Sequence, residues 1–192
     1  MKVKKISKSF QNSQILKDVS FEIHSGQTFH MKGPNGSGKS TIFKIIIGLL
    51  EADSGEIELE DGDYIGALIE NPGLLESYSG FTNLKFLAGF KNFISDEEIR
   101  GHMEKFGLDP SAKIAVKKYS LGMKQKLGII QAIMEHQNII LLDEPTRGLD
   151  EASIVVFDET INSLRNHGAQ IIIASHEEHP AILFDHTIDL GK

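Results

Sequence analysis

Residues Gly33-Pro34-Asn35-Gly36-Ser37-Gly38-Lys39-Ser40-Thr41 carry the pattern G-x-x-x-x-G-K-[ST], a set of residue types suited to holding a polyphosphate. Backbone N–H groups in such a loop point inward and make a concave anion site, to which a helix opening directly after it adds partial positive charge. Lys39 would reach the β- and γ-phosphates and the Ser40 hydroxyl would ligate Mg²⁺, while Gly33, Gly36 and Gly38 permit backbone angles and approaches that a Cβ would block. A second chemistry-bearing set closes the run Asn138-Ile139-Ile140-Leu141-Leu142-Asp143-Glu144-Pro145. An apolar strand delivering two adjacent acids at its C-terminal end places them where ligands of open α/β sheets sit. Asp143 would then hold Mg²⁺ through its water shell, and Glu144 would orient or polarise the water that attacks the γ-phosphate. Taken alone, Asp-Glu at a strand end is equally two acids beginning a turn; beside the phosphate loop the chemical reading prevails.

These residues need a scaffold, and the apolar spacing supplies one. Gln27 to Met31 reads as a buried strand entering the loop, and Thr41 to Leu50 as a helix leaving it, with Ile42, Ile45, Ile46 and Leu49 on one face. Val3 to Ile6, Val19 to Ile23, Glu56 to Leu59 and Tyr64 to Ile69 read as short strands separated by Gly, Asp and Ser turns. Asn138 to Asp143 and Gln170 to Ala174 are compact runs of the kind buried on both faces of a parallel sheet. Helical spacing covers Phe81 to Ala88, Asp96 to Phe106, Leu121 to Glu135 and Ala152 to Asn166, the last stopping near Gly168. Ser95 with Glu98 predicts a capping box, and Asp96, Glu97 and Glu98 read as the negative charge set of that helix N-terminus. The expected fold class is α/β: a P-loop NTPase parallel-sheet core, an N-terminal antiparallel β subdomain and an inserted helical lobe. One domain of residues 1–192 is expected, with residues 1–71 and 135–192 forming the nucleotide-binding core and residues 72–134 the lobe.

Composition excludes several alternatives. At 192 residues, 40% hydrophobic and 24% charged, the chain can bury a sizeable core and is not disordered in character. With no cysteine, neither a disulfide framework nor a thiolate metal site is available. No stretch has the continuous apolar length of a spanning helix. A net charge of −7 argues against a broad nucleic-acid surface, and the pairs Lys4–Lys5 and Lys117–Lys118 read as solvated faces. The stretch His176-Glu177-Glu178-His179, with Asp185 and His186 nearby, invites a metal reading. Its histidines are three apart rather than four and Pro180 follows at once, which is not a zinc-peptidase spacing.

Tyr119-Ser120-Leu121-Gly122-Met123-Lys124-Gln125-Lys126 occupies the interval where ATP-binding-cassette proteins carry their signature sequence, so the chain resembles an ABC ATPase over essentially its whole length. Gly148-Leu149-Asp150 is similar to the family's D-loop, and His176 after the apolar run Ile171 to Ser175 is similar to its switch histidine. The resemblance implies ATP and Mg²⁺ as cofactors and a second cassette packed head to tail, so that the phosphate loop of one subunit and Ser120 and Gly122 of the other close over one ATP. It also implies that His176 contacts the γ-phosphate and positions the Glu144 water. Asp150 would act across that dimer, while an acid in a Gly-Leu-Asp turn equally suits a helix N-cap. Phe10 matches the aromatic that stacks on adenine, and is otherwise a Phe packed under a turn.

Two departures carry information. The signature reads Tyr119-Ser120-Leu121-Gly122-Met123, retaining the hydroxyl and one glycine while losing a side-chain amide. The family's glutamine after the strand leading to the lobe is Glu70 here, in Ile65-Gly66-Ala67-Leu68-Ile69-Glu70, and a carboxylate there can still ligate Mg²⁺ or its water. Both changes resemble bacterial cassettes of bacitracin- and lantibiotic-export type. The resemblance thus implies an ATPase subunit that powers a separate transmembrane permease, sits peripherally on the inner face of the cell membrane, and binds no nucleic acid. With the chain ending at Lys192, no regulatory domain is expected after the switch histidine. The alternative is a soluble cassette ATPase of DNA repair, chromosome structure or translation. Against it, no long coiled coil separates loop from signature, and only one cassette is present.

Overall fold

In a computed structural model of the chain, residues 1–11, 13–90, 93–176 and 179–191 are described. Strands β1 (Lys2–Phe10) and β2 (Ser13–Glu22) pair antiparallel, and β4 (Ser54–Glu58) joins the other edge of β1 to make a three-stranded sheet. A second sheet holds β5 (Ile65–Leu68), β6 (Ile139–Asp143), β7 (Gln170–Ala174), β3 (Thr28–Lys32) and β8 (His186–Asp189) in that spatial order, every pairing parallel. Helix α1 (Lys39–Ile46) follows β3. Helices α2 (Gly80–Ala88), α3 (Asp96–Lys105) and α4 (Leu121–Ile133) lie between β5 and β6, and α5 (Glu151–Asn166) lies between β6 and β7.

The central strands β6 and β7 are almost wholly apolar because both faces are covered, and alternation along them assigns their apolar residues to one of two cores. Ile139 and Leu141 of β6, with Ile172 and Ala174 of β7, pack among Ile42, Phe43 and Ile46 of α1 and the antiparallel sheet's Val3, Ile6 and Leu16. Ile140 and Leu142, with Ile171 and Ile173, face the opposite way onto Leu127 and Ile130 of α4 and Phe157 and Ile161 of α5. The expected fold class is therefore the observed one: a parallel core sheet, an N-terminal antiparallel subdomain and inserted helices.

Element limits differ where the sequence signal is one-sided. Only Val3 to Ile6 and Val19 to Ile23 read as strands, yet β1 and β2 run much longer, because their outward faces are Lys and Ser and their register shifts at bulges. Lys5 and Asp18, at φ 49 and 48, mark those irregularities. The helix expected to reach Leu50 ends at Ile46, where Ile47 caps it and Gly48 at φ 75 turns the chain away. Strand β8 had no apolar signature, since His186, Thr187 and Asp189 are exposed on the sheet's edge. The capping box at Ser95 and Glu98 forms as read, with Asp96, Glu97 and Glu98 in the first turn of α3.

Candidate functional site

Within the sheet β7 lies between β6 and β3, so the segments leaving the C-terminal ends of these strands emerge side by side. Those following β3 and β6 line a cleft of about 510 Å³ together with Glu70 and Asn71 beyond β5 and Leu121 and Gln125 of α4. The phosphate loop contributes Asn35, Gly36, Gly38, Lys39, Ser40 and Thr41 to that wall, and the acids Asp143 and Glu144 face it. Gly38 holds φ 103, and a Cβ on it would come 2.5 Å from Leu16 Cδ2, so the loop lies directly against β2. Gly33, Pro34 and Ser37 are not among the residues lining the cleft. Lys39 Nζ donates to the carbonyls of Gly33 at 2.7 Å and Pro34 at 3.2 Å.

The loop, the acids and the histidine form one connected set. The Ser40 hydroxyl donates to Asp143 Oδ2. His176 Nε2 lies 2.9 Å from Asn35 Oδ1, 3.4 Å from Lys39 Nζ and 3.5 Å from Glu144 Oε1. Glu144 sits in the left-handed region at φ 46, a conformation that costs a non-glycine residue about 1 kcal/mol. Three hydrogen bonds hold it there: its N–H donates to Ala174 O at 2.8 Å, and Gln125 Nε2 donates to the carbonyls of Glu144 and Pro145 at 2.9 and 3.0 Å. Glu144 Oε1 is buried without a hydrogen-bond partner among the described residues. A carboxylate oxygen kept free beside an imidazole and an ammonium can accept a proton from a water between them.

The residues fit the implied ligands. Ser40 and Asp143 present hard oxygen donors to one point, the set preferred by Mg²⁺ over softer metals. The buried Ser37 hydroxyl, which lacks a hydrogen-bond partner among the described residues, is a further polar group within the anion loop. Glu70 lines the cleft, yet its Oε1 is engaged by Lys44 Nζ of α1 at 2.5 Å and its backbone is left-handed at φ 58.

Other expected site residues stand apart from the cleft. Ser120 is the N-cap of α4, accepting from Met123 N–H at 3.2 Å, and Gly122 follows it in the first turn. Asp150 is the N-cap of α5, and the Ser153 hydroxyl and N–H that it accepts hold its carboxyl below the ordinary aspartate value. It also lies 3.5 Å from Lys126 Nζ. Phe10 ends β1, is 45% exposed and does not line the cleft, and Lys8 Nζ sits 5.7 Å from its ring centre. The histidines of the metal-like stretch part company. His176 faces Asn35 and Glu144, and His179 is buried against Asp158, while Glu177 and Glu178 lie outside the described residues. Sequence reasoning did not single out Gln125, Lys44 or Arg147, the last a cation lining the cleft. Gln125 had one usable signal, an amide on the buried side of an otherwise apolar helix.

The ABC transporter family profile matches residues 16–147. The chain is 37% identical over 182 residues to the ABC transporter ATP-binding protein YdbJ of Bacillus subtilis, a match covering 89% of the chain and 59% of that relative. It is also 37% identical over 183 residues to the lantibiotic transport ATP-binding protein SrtF of Streptococcus pyogenes, covering 92% of the chain and 80% of the relative. A solved ATP-binding subunit of an ABC transporter superposes with a TM-score of 0.81 at 30% identity, covering 91% of the chain and 78% of that subunit.

Proposed function

The chain belongs to the ABC transporter family, and on that footing we propose that it binds and hydrolyses ATP as the energising subunit of a transporter whose membrane-spanning part is a separate permease. One observation carries the reading: Asp143 is hydrogen-bonded to Ser40 of the phosphate loop, His176 to Asn35 of the same loop, and the Glu144 carboxylate lies 3.5 Å from His176, at the ends of β3, β6 and β7. Lys39 leaves the carbonyls of Gly33 and Pro34 for the β- and γ-phosphates, and the loop N–H groups cradle the chain of phosphates. Ser40 and Asp143 would hold Mg²⁺, with Glu70 available to join them if released from Lys44, and the ion would supply positive charge to offset that of the phosphates. Glu144 accepts the proton of the attacking water through its unpaired oxygen, and His176 keeps that oxygen and the γ-phosphate in register.

Ser120, Gly122 and Asp150 act on the ATP of a second cassette packed head to tail, which is supported by their placement at helix N-termini outside the cleft. Phe10 serves the adenine as a stacking face, supported by its exposure at the end of β1. Residues 72–134 form the lobe that meets the permease, against the core of residues 1–71 and 135–192. No helix among the described residues is long and apolar enough to cross a membrane, in keeping with a peripheral place on the inner face through that partner. Export of a peptide or antibiotic is the favoured transport, supported by the likeness to the lantibiotic transport protein.

The test is to tag the chain in its native cell, solubilise the membranes gently and identify what co-purifies in near-stoichiometric amount, then assay ATP turnover of the complex. A polytopic partner lacking its own cassette, with turnover, is expected. Recovery only with ribosomes, DNA or no partner would overturn the transporter assignment and leave the ATPase to be judged by the turnover assay.

A further inference from the structure

Helix α5 grips the chain that follows β7 along one of its faces. Asp158, Asn162 and Arg165 are spaced as i, i+4 and i+7, which sets them above one another on the helix. Asp158 Oδ1 lies 3.7 Å from His179 Nδ1, Asn162 Nδ2 donates to Ala181 O at 2.8 Å, and Arg165 Nη2 donates to Asp185 Oδ1 at 3.0 Å. The first contact differs in kind from the third. The His179 and Asp158 side chains are 3% and 10% exposed, whereas those of Arg165 and Asp185 are 21% and 24% exposed. The His179 ring packs 6.0 Å from that of Phe157, and neither His179 Nε2 nor Asp158 Oδ1 has a hydrogen-bond partner among the described residues. Burial accordingly pushes the Asp158 carboxyl up, with the neighbouring His179 opposing the rise.

Burying a carboxylate beside an imidazole costs desolvation that an apolar pair of similar volume would avoid. The place of this pair suggests what the cost secures. His176, three residues before His179, is the ring that contacts Asn35 and Glu144. On its upstream side, Ser175 is held by His30, whose Nε2 lies 3.0 Å from the Ser175 hydroxyl oxygen and 3.3 Å from its carbonyl. His176 thus lies one residue after a held position, Ser175, and three before another, His179.

We propose that His179 and Asp158 are positioning residues, a buried clip between α5 and the chain after β7 that sets the His176 ring against Glu144. The proposal rests on the ATPase reading above for its kinetic consequence, and on the geometry alone for its structural one. Asp158→Asn and His179→Gln preserve size and hydrogen-bonding capacity while removing the charge attraction. Expected in each is a loss of about tenfold in kcat with KM for ATP unchanged, since misplacing a catalytic group affects the chemical step more than binding. The double variant falls no further than the worse single one, as members of one unit do.

In protein labelled at its histidines, the ring resonance of His176 shifts in both variants, each giving an independent reading should the other not fold. Arg165→Gln, which loosens the same stretch of chain at its more exposed end, lowers the melting temperature without moving that resonance. If the His176 resonance stays at its parent position in Asp158→Asn and His179→Gln, the clip is overturned whatever happens to kcat. If the parent does not turn over ATP, the functional reading fails instead, and the resonance still decides the clip.

Discussion

The two sets of residues proposed to act on ATP are built differently. The phosphate loop, through Ser40 and Asn35, reaches Asp143 and His176, and His176 reaches Glu144, so the proposed half-site is a connected set within one chain. Ser120 and Asp150 instead cap their own helices, α4 and α5, with Asp150 also 3.5 Å from Lys126 Nζ, and Gly122 lies in the first turn of α4. Gly122 packs so closely on the turn before α5 that a Cβ there would lie 2.4 Å from Gly148 O, locking the two helix starts together. On the proposed reading, the connected cleft holds nucleotide within one chain, and the helix starts at Ser120 and Asp150 act on the nucleotide of a second cassette.

The largest effect should come from the wired half. Glu144→Gln removes the free carboxylate oxygen while keeping the shape of the residue, and a lost general base costs about 10²- to 10⁴-fold in kcat. ATP affinity stays within about twofold, because the amide still fits the same turn held by Gln125 and Ala174. Single-turnover kinetics beside equilibrium titration separates these quantities, and turnover at the parent rate would remove Glu144 from the chemistry. Lys39→Ala acts on binding instead. Losing a charge-assisted contact to phosphate costs about 2 kcal/mol, or roughly 30-fold in Kd, read by calorimetry on the monomer. If monomer affinity is unchanged, the half-site is not complete within one chain and the contrast between the two regions collapses.

What could be read beforehand divides along the same line. The loop and the acids were legible because their chemistry is local, carried by neighbouring residues in an order that few other constraints would produce. Strands β6 and β7 were legible because burial on both faces leaves unbroken runs of Ile, Leu and Ala between Asn138 and Asp143 and after Gln170. Strand β8 escaped because an edge strand with His186, Thr187 and Asp189 exposed carries no such record. Gln125 and Lys44 act across tertiary contacts, on Glu144 and Glu70 respectively, which no local pattern reports. The left-handed backbone at Glu144 was hidden for the same reason: its cost is met by partners from β7 and α4. Of the metal-like histidines, spacing could exclude a zinc-peptidase site, but only packing reveals that His179 turns inward to Asp158.

The waiting edge is tested most sharply by a change that spares its local duty. Ser120→Asp keeps an equally good helix cap, since Asp and Ser are matched in that role, while placing a negative charge where a partner's γ-phosphate would approach. Monomer affinity for ATP and the melting temperature should stay at parent values. ATP-driven dimerisation, measured by sedimentation in a Glu144→Gln background, should weaken by about tenfold or more. Weakened nucleotide binding by the monomer would mean that Ser120 serves the chain's own cleft, and dimerisation at parent strength would mean that it serves neither.

The smallest effect concerns Asp150, where cap and expected partner contact fall on one residue. Its carboxyl is held below the ordinary value chiefly by the Ser153 hydroxyl, and next by the Ser153 N–H, in the folded chain. A depressed folded value means that the unfolded chain takes up the proton first as pH falls. The cap's charge-dependent contribution is therefore fully present above the unfolded aspartate value, near pH 3.9, and is lost as pH falls through the lower folded one. Asp150→Asn retains a good cap without the titration, so its melting temperature should lie slightly below the parent's at neutral pH, with the gap closing below about pH 4. An identical acid dependence would deny the cap any share of the charge effect. Reduced ATP-driven dimerisation at neutral pH with folding unchanged would assign the carboxylate a second duty, as its place at the start of α5 allows.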